Sequence, residues 1–144
     1  VLLHAVLATP GGDLHVLATH LDAGRAPAYR QQQLVQLLAH AARDVPSGAP
    51  LLLGGDLNSD APSDAVAALA FTLEDAWSVC GAGRGTGAAD TARAGGTFPA
   101  GAPRERIDYV FYRGMRCRDA RVPASTASDH RPLVVDLDLG RGTT

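Results

Sequence analysis

Two short spacings in this sequence put groups that can act on phosphorus or hold a cation next to apolar strands. The first is Asp56-Leu57-Asn58, which follows Gly54-Gly55 at the end of an apolar run. An acid and an amide thus sit two residues apart at a strand's C-terminal end, where α/β proteins gather ligand groups. The glycines let the backbone turn tightly and approach a ligand. The same residues also suit an Asx-type turn that caps the next helix. The second spacing is Asp129-His130, ahead of Arg131-Pro132 and another apolar stretch. An acid can hold a divalent cation through oxygen, and an imidazole can donate a proton or contact phosphate. A solvated loop before an edge strand would look similar.

Two further residues join them. Asp108 lies in an otherwise apolar run from Ile107 to Phe111, where a bare buried carboxylate is costly and needs a partner. His130 and His20 are the candidate partners, although strand alternation also allows Asp108 to face water. His20 ends a strand in Ala-Thr-His-Leu. The remaining histidines, His4, His15 and His40, have no such setting and read as surface or core residues.

The elements that must carry these residues follow from periodicity. Residues 2–9 and 13–20 alternate as strands around the Pro10-Gly11-Gly12 turn, so 2–20 is a hairpin. Its second strand places Leu14, Val16, Ala18 and His20 on one face. Residues 27–45 carry Leu34, Leu37, Leu38, Ala41 and Val45 at helical steps and stop at Pro46-Ser47-Gly48. The run from Pro50 to Gly55 suits a strand buried on both faces. A short helix over 62–70 is followed by a brief apolar return at 71–77. Residues 78–96 read as a loop, 105–112 and 115–122 as two strands about Arg113-Gly114, and 131–138 as the last strand. Residues 140–144 read as a tail, and one domain is expected over 1–139.

Composition sets the outer limits. The 144 residues are 46% hydrophobic and 19% charged, which is ordinary for one globular domain with a core. The net charge is −2, and all 13 basic residues are Arg. A near-neutral chain argues against non-specific coating of nucleic acid, which uses a basic face. It leaves a nuclease open, because a bound cation offsets an acidic site. No apolar run is long enough to span a bilayer. The chain opens at Val1 inside a strand, with no basic start followed by an apolar stretch and a cleavage site. Cytoplasmic and secreted settings both fit. Cys80 and Cys117 form no Cys-x-x-Cys pair, so zinc is not expected, and two ordinary thiols are favoured over a disulfide.

Taken together and in order, Thr19-His20-Leu21, Gly55-Asp56-Leu57-Asn58, Arg106-Ile107-Asp108-Tyr109-Val110 and Ser128-Asp129-His130-Arg131-Pro132 resemble the endonuclease/exonuclease/phosphatase superfamily. The resemblance runs from about residue 3 to about residue 139. It implies an α/β fold of the deoxyribonuclease I-like type, an α+β sandwich of two packed β-sheets flanked by helices in four layers. It also implies a metal-dependent hydrolase that attacks phosphate esters with activated water. By that resemblance Asp56 orients or deprotonates the water, and Asn58 positions it and holds the phosphate. His130, paired to Asp108, and His20 contact the phosphate. Asp129 helps bind Mg²⁺ or Mn²⁺, and Arg106 is a substrate contact. The partner is a phosphate ester, with nucleic acid in the nuclease version, and a monomer is expected.

Family members also carry an N-terminal half that supplies an early Asn and a metal-binding Glu. The only glutamates here, Glu74 and Glu105, both follow Thr19-His20-Leu21. One sheet is therefore expected complete and its partner sheet partial, as the C-terminal portion of the domain. A phosphodiesterase or phosphatase ranks first and a nuclease second. A catalytically inactive fragment or phosphate-binding module is the alternative from a different class. A sphingomyelinase-like lipase would need an apolar hairpin, which residues 57–100 lack.

Overall fold

The fold was read from a computed structural model that describes residues 1–24, 26–81 and 95–140. The hairpin forms as expected: β1 (Leu2–Thr9) and β2 (Gly12–His20) pair antiparallel. Helix α1 (Pro27–Asp44) follows, with proline in its first turn, where the missing N–H costs nothing. It returns the chain to β3 (Leu51–Asp56), which pairs parallel to β2. The unit β2–α1–β3 is thus a crossover connection of the kind parallel strands require.

Helix α2 (Asp64–Ala70) begins at Ser63, whose hydroxyl accepts from the Val66 N–H. The apolar return is a two-residue strand, β4 (Glu74–Asp75), followed by α3 (Ala76–Cys80). The expected loop over 78–96 is therefore helical at its start. Asp75 caps α3 by accepting from the Trp77 N–H, and Ser78 donates to the same carboxylate. Residues 82–94 of that expected loop and residues 141–144 of the expected tail lie outside the described residues. Strands β5 (Asp108–Arg113), β6 (Arg116–Arg121) and β7 (Val134–Asp138) complete the chain. The five-stranded sheet has the order β1-β2-β3-β5-β4, and β6 and β7 form a second, two-stranded sheet.

The core lies on one face of the large sheet. Leu17, Leu51, Leu53, Tyr109 and Phe111 project there and meet Leu34, Leu37 and Val45 of the α1 segment and Ala65, Val66 and Leu69 of α2. Helix α1 is tied to the hairpin on this side by a chain of imidazoles. His15 lies 3.0 Å from His4, His4 lies 3.0 Å from His40, and His40 reaches Asp44 at 2.8 Å. The opposite face carries Leu3, Leu7, Leu14, Val16, Leu52 and Val110, and Leu3 and Leu7 are well exposed. The expected burial of β3 on both faces is accordingly one-sided: Leu51 and Leu53 are buried and Leu52 only partly so.

The cysteines correct the sequence-based expectation. Cys80 of α3 and Cys117 of β6 are joined as a disulfide, with their Cα atoms 5.9 Å apart. Helix α3 packs against both β5 and β6, so a 37-residue separation in sequence closes to bonding distance. Spacing alone could not reveal this, because the contact depends on where α3 docks.

Gly55 sets the approach of β2 to β3. Its φ is +148°, and a Cβ there would stand 1.8 Å from the carbonyl oxygen of Thr19. Any side chain must push the two strands apart just before His20 and Asp56. Gly55→Ala is therefore expected to lower unfolding free energy by roughly 2 kcal/mol or more, read from denaturant unfolding.

Candidate active site

Three of the expected site residues form a row across the large sheet. His20 is the Cα partner of Asp56, and Asp56 is the Cα partner of Asp108. Side chains at paired positions share a face and sit about one strand spacing apart. The row lies at the C-terminal ends of β2 and β3 and at the start of β5. It belongs to the sheet face opposite the helix-covered core.

His130 reaches this row from the loop after β6. Its Nδ1 lies 2.8 Å from Asp108 Oδ2, so the imidazole donates to the carboxylate, and Nε2 meets no hydrogen-bond partner among the described residues. Ser128 Oγ accepts from the His130 N–H and holds the loop turn. Asp56, Asp108 and His130 offer ligand atoms that all lie within 4.8 Å of one another.

The groups around Asp56 fix its orientation. Its Oδ1 accepts from the Asn58 backbone N–H at 2.7 Å, an Asx turn. His20 Nε2 stands 3.4 Å from its Oδ2. Asn58 has φ +46°, a left-handed conformation that asparagine tolerates better than most residues. Its side-chain amide donates to the Leu21 carbonyl at 2.9 Å, which ties the segment after His20 to the segment after Asp56. An Asx turn thus forms at Asp56-Leu57-Asn58, although the next helix is capped by Ser63 and not by this turn.

Two expected site residues stand apart from the row. Asp129 is exposed, its Oδ1 accepts from Ser128 Oγ, and it is not among the converging ligand atoms. Arg106 points into the protein. Its NH1 donates to Asp75 at 2.9–3.0 Å, and its guanidinium lies 4.3 Å from the centre of the Tyr109 ring. Both partners of this pair are nearly buried, and the cation ties β5 to the cap of α3. Sequence reading missed Asp75, whose signal was an acid directly before a short helix.

The electrostatics of His130 follow from this setting. Partial desolvation is the largest single influence and lowers its pKa. The hydrogen bond and charge of Asp108, together with the charges of Asp56 and Asp129, outweigh it, so the pKa is raised above 6.5. Two carboxylates facing each other across paired strands repel, and a bound cation would relieve that repulsion. Oxygen donors suit a hard cation such as Mg²⁺. The carboxylate oxygens of Asp56 and Asp108 fit part of such a site, whereas the His130 imidazole is engaged with Asp108.

The profile of the endonuclease/exonuclease/phosphatase family matches residues 2–130. The chain belongs to this family. A UPF0294 protein of Vibrio parahaemolyticus is 52% identical over 33 residues, which is 23% of this chain and 12% of that protein. An endonuclease/exonuclease/phosphatase structure from Beutenbergia cavernae superposes with a TM-score of 0.71 at 26% identity, covering 96% of this chain and 39% of its own. The mannosyl-6-phosphatase of Bacteroides thetaiotaomicron gives 0.67 at 21% identity, with 87% and 51% covered. This chain thus spans about half or less of the solved relatives' length. The fold is the deoxyribonuclease I-like arrangement of two sheets with helices, as the motifs implied.

Raising the His130 pKa favours the folded state only while the imidazolium exists. The Asp108–His130 contribution to stability is therefore complete below about pH 6.5, the unfolded value. It fades as pH rises through the higher folded value. Asp108→Asn is expected to return the His130 pKa towards or below its ordinary range, read by NMR titration. The stability gap between wild type and this variant is expected to narrow from acid to alkaline pH.

Proposed function

We propose that this chain carries the phosphate-contacting part of a divalent-metal phosphoesterase site. The observation that carries the reading is the in-register row His20, Asp56 and Asp108, joined by His130. The reaction is hydrolysis of a phosphodiester or phosphomonoester by in-line attack of water. Family membership supports hydrolysis of a phosphate ester as the reaction class.

Asp56 accepts the proton of the attacking water as its oxygen bonds to phosphorus and the ester P–O bond breaks. The Asx turn holds one oxygen of this carboxylate, which aims the other. His130 donates through Nε2 to the phosphoryl oxygen that gains charge. Asp108 holds its ring and keeps it protonated to higher pH. His20, largely exposed beside Asp56, contacts a second phosphoryl oxygen. Asn58 positions the water and phosphate through the turn it builds. Mg²⁺ or Mn²⁺, when bound, neutralises charge on the phosphoryl group and leaving oxygen. Asp108 and Asp129 would hold it, which leaves the aimed oxygen of Asp56 free to act as the base.

The natively expressed protein, with its intact mass recorded, tests this against bis(4-nitrophenyl) phosphate. Mg²⁺-dependent hydrolysis is expected, abolished by chelation and restored by Mg²⁺ or Mn²⁺. Asp56→Asn and His130→Ala are each expected to lower kcat by roughly 100-fold or more. Wild-type rates in both variants would sink the assignment. The 144-residue chain alone is expected to show little or no turnover.

A further inference from the structure

Asp108 and His130 come from separate elements, yet both are attached to the same four residues, Thr97 to Ala100. On one side this segment pairs with the run entering β5. The Thr97 and Phe98 amides both donate to the Glu105 carbonyl, at 2.8 and 3.0 Å, and the Glu105 amide returns a bond to Phe98 O at 3.0 Å. The Thr97 side chain is fully buried, and its Oγ1 accepts from the backbone N–H of Ile107 at 3.4 Å and of Asp108 at 3.3 Å. On the other side the segment grips the loop that carries His130. The Arg131 amide donates to Thr97 O at 2.7 Å, the Ala100 amide donates to Asp129 O at 2.7 Å, and Arg131 Nε donates to Ala100 O at 2.6 Å. The Phe98 ring lies 4.9 Å from the His130 ring, tilted by 46°.

We propose that Thr97 and Phe98 are positioning residues that set the Asp108–His130 hydrogen bond. Thr97 fixes the backbone amide of Asp108 through its buried hydroxyl. Phe98 backs the imidazole and limits its rotation. A 2.8 Å contact between groups 22 residues apart needs both backbones held to a fraction of an ångström. One segment bonded to both does this directly, because movement of either side must strain shared hydrogen bonds. The catalytic consequence rests on the phosphoesterase reading above, but the geometric one does not.

The test therefore has two independent readouts. The first is the tautomer of neutral His130 in the 144-residue chain, read by ¹⁵N NMR of the imidazole at alkaline pH. The Asp108 bond demands a proton on Nδ1, the form that a histidine free of partners adopts in the minority. Wild type and Thr97→Ser, which keeps the hydroxyl, are expected to show it. Thr97→Val and Phe98→Leu are expected to shift His130 towards the Nε2–H form while the spectrum elsewhere stays native. An unchanged tautomer in natively folded Thr97→Val and Phe98→Leu overturns the proposal. If Thr97→Val does not fold, Phe98→Leu decides it by the same reading. The second readout is hydrolysis by the natively expressed protein. Thr97→Val is expected to lower kcat roughly 10- to 100-fold at little-changed KM, with recovery in Thr97→Ser. If no variant or wild type turns over, the phosphoesterase reading fails and the tautomer result still stands or falls alone.

Discussion

Two carboxylates, Asp56 and Asp108, sit opposite each other on paired strands, and the surroundings of the site answer that repulsion. Like charges at directly opposed positions weaken a sheet. Here each acid has its own donor: the Asn58 amide for Asp56, and the His130 imidazole for Asp108. His20 adds a second ring, beside Asp56. The acids are held together rather than separated, which makes the strand ends a place where a cation or a protonated imidazole is favoured.

Keeping that arrangement needs rigid backbone on every side. Gly55 lets β2 and β3 close to a distance that no side chain would allow, and this brings His20 level with Asp56. The Asn58–Leu21 bond locks the two strand exits together. Beyond β5, the Arg106–Asp75 pair anchors the short helix α3, and the disulfide links that helix to β6. The loop carrying His130 leaves from β6. The second sheet is thus attached to the first through α3, at the distance the Asp108–His130 bond requires.

The open face of the large sheet is the other side of the same design. Its helix-covered face holds the tightly packed Leu side chains with Tyr109 and Phe111, while the site face buries Tyr112 and leaves Leu3 and Leu7 exposed beside half-buried Leu14, Val16 and Leu52.

Much of this was legible in the sequence because it is local. Strand alternation set the hairpin, the helical stripe set α1, and Gly-Gly-Asp-Leu-Asn encoded a tight turn whose Asx bond is made within three residues. The motifs in order were enough to resemble the family to which the chain belongs. What the tertiary structure decided was which distant groups meet. Asp108 could have faced water, and only the register of β5 on β3 puts it beside Asp56. Arg106 could have faced substrate, but the docking of α3 offers it a buried acid, beside the ring of Tyr109 in its own segment. Cys80 and Cys117 pair because α3 packs on β6. Local pattern is written in side-chain period and turn chemistry, whereas these choices depend on packing between elements far apart in the chain.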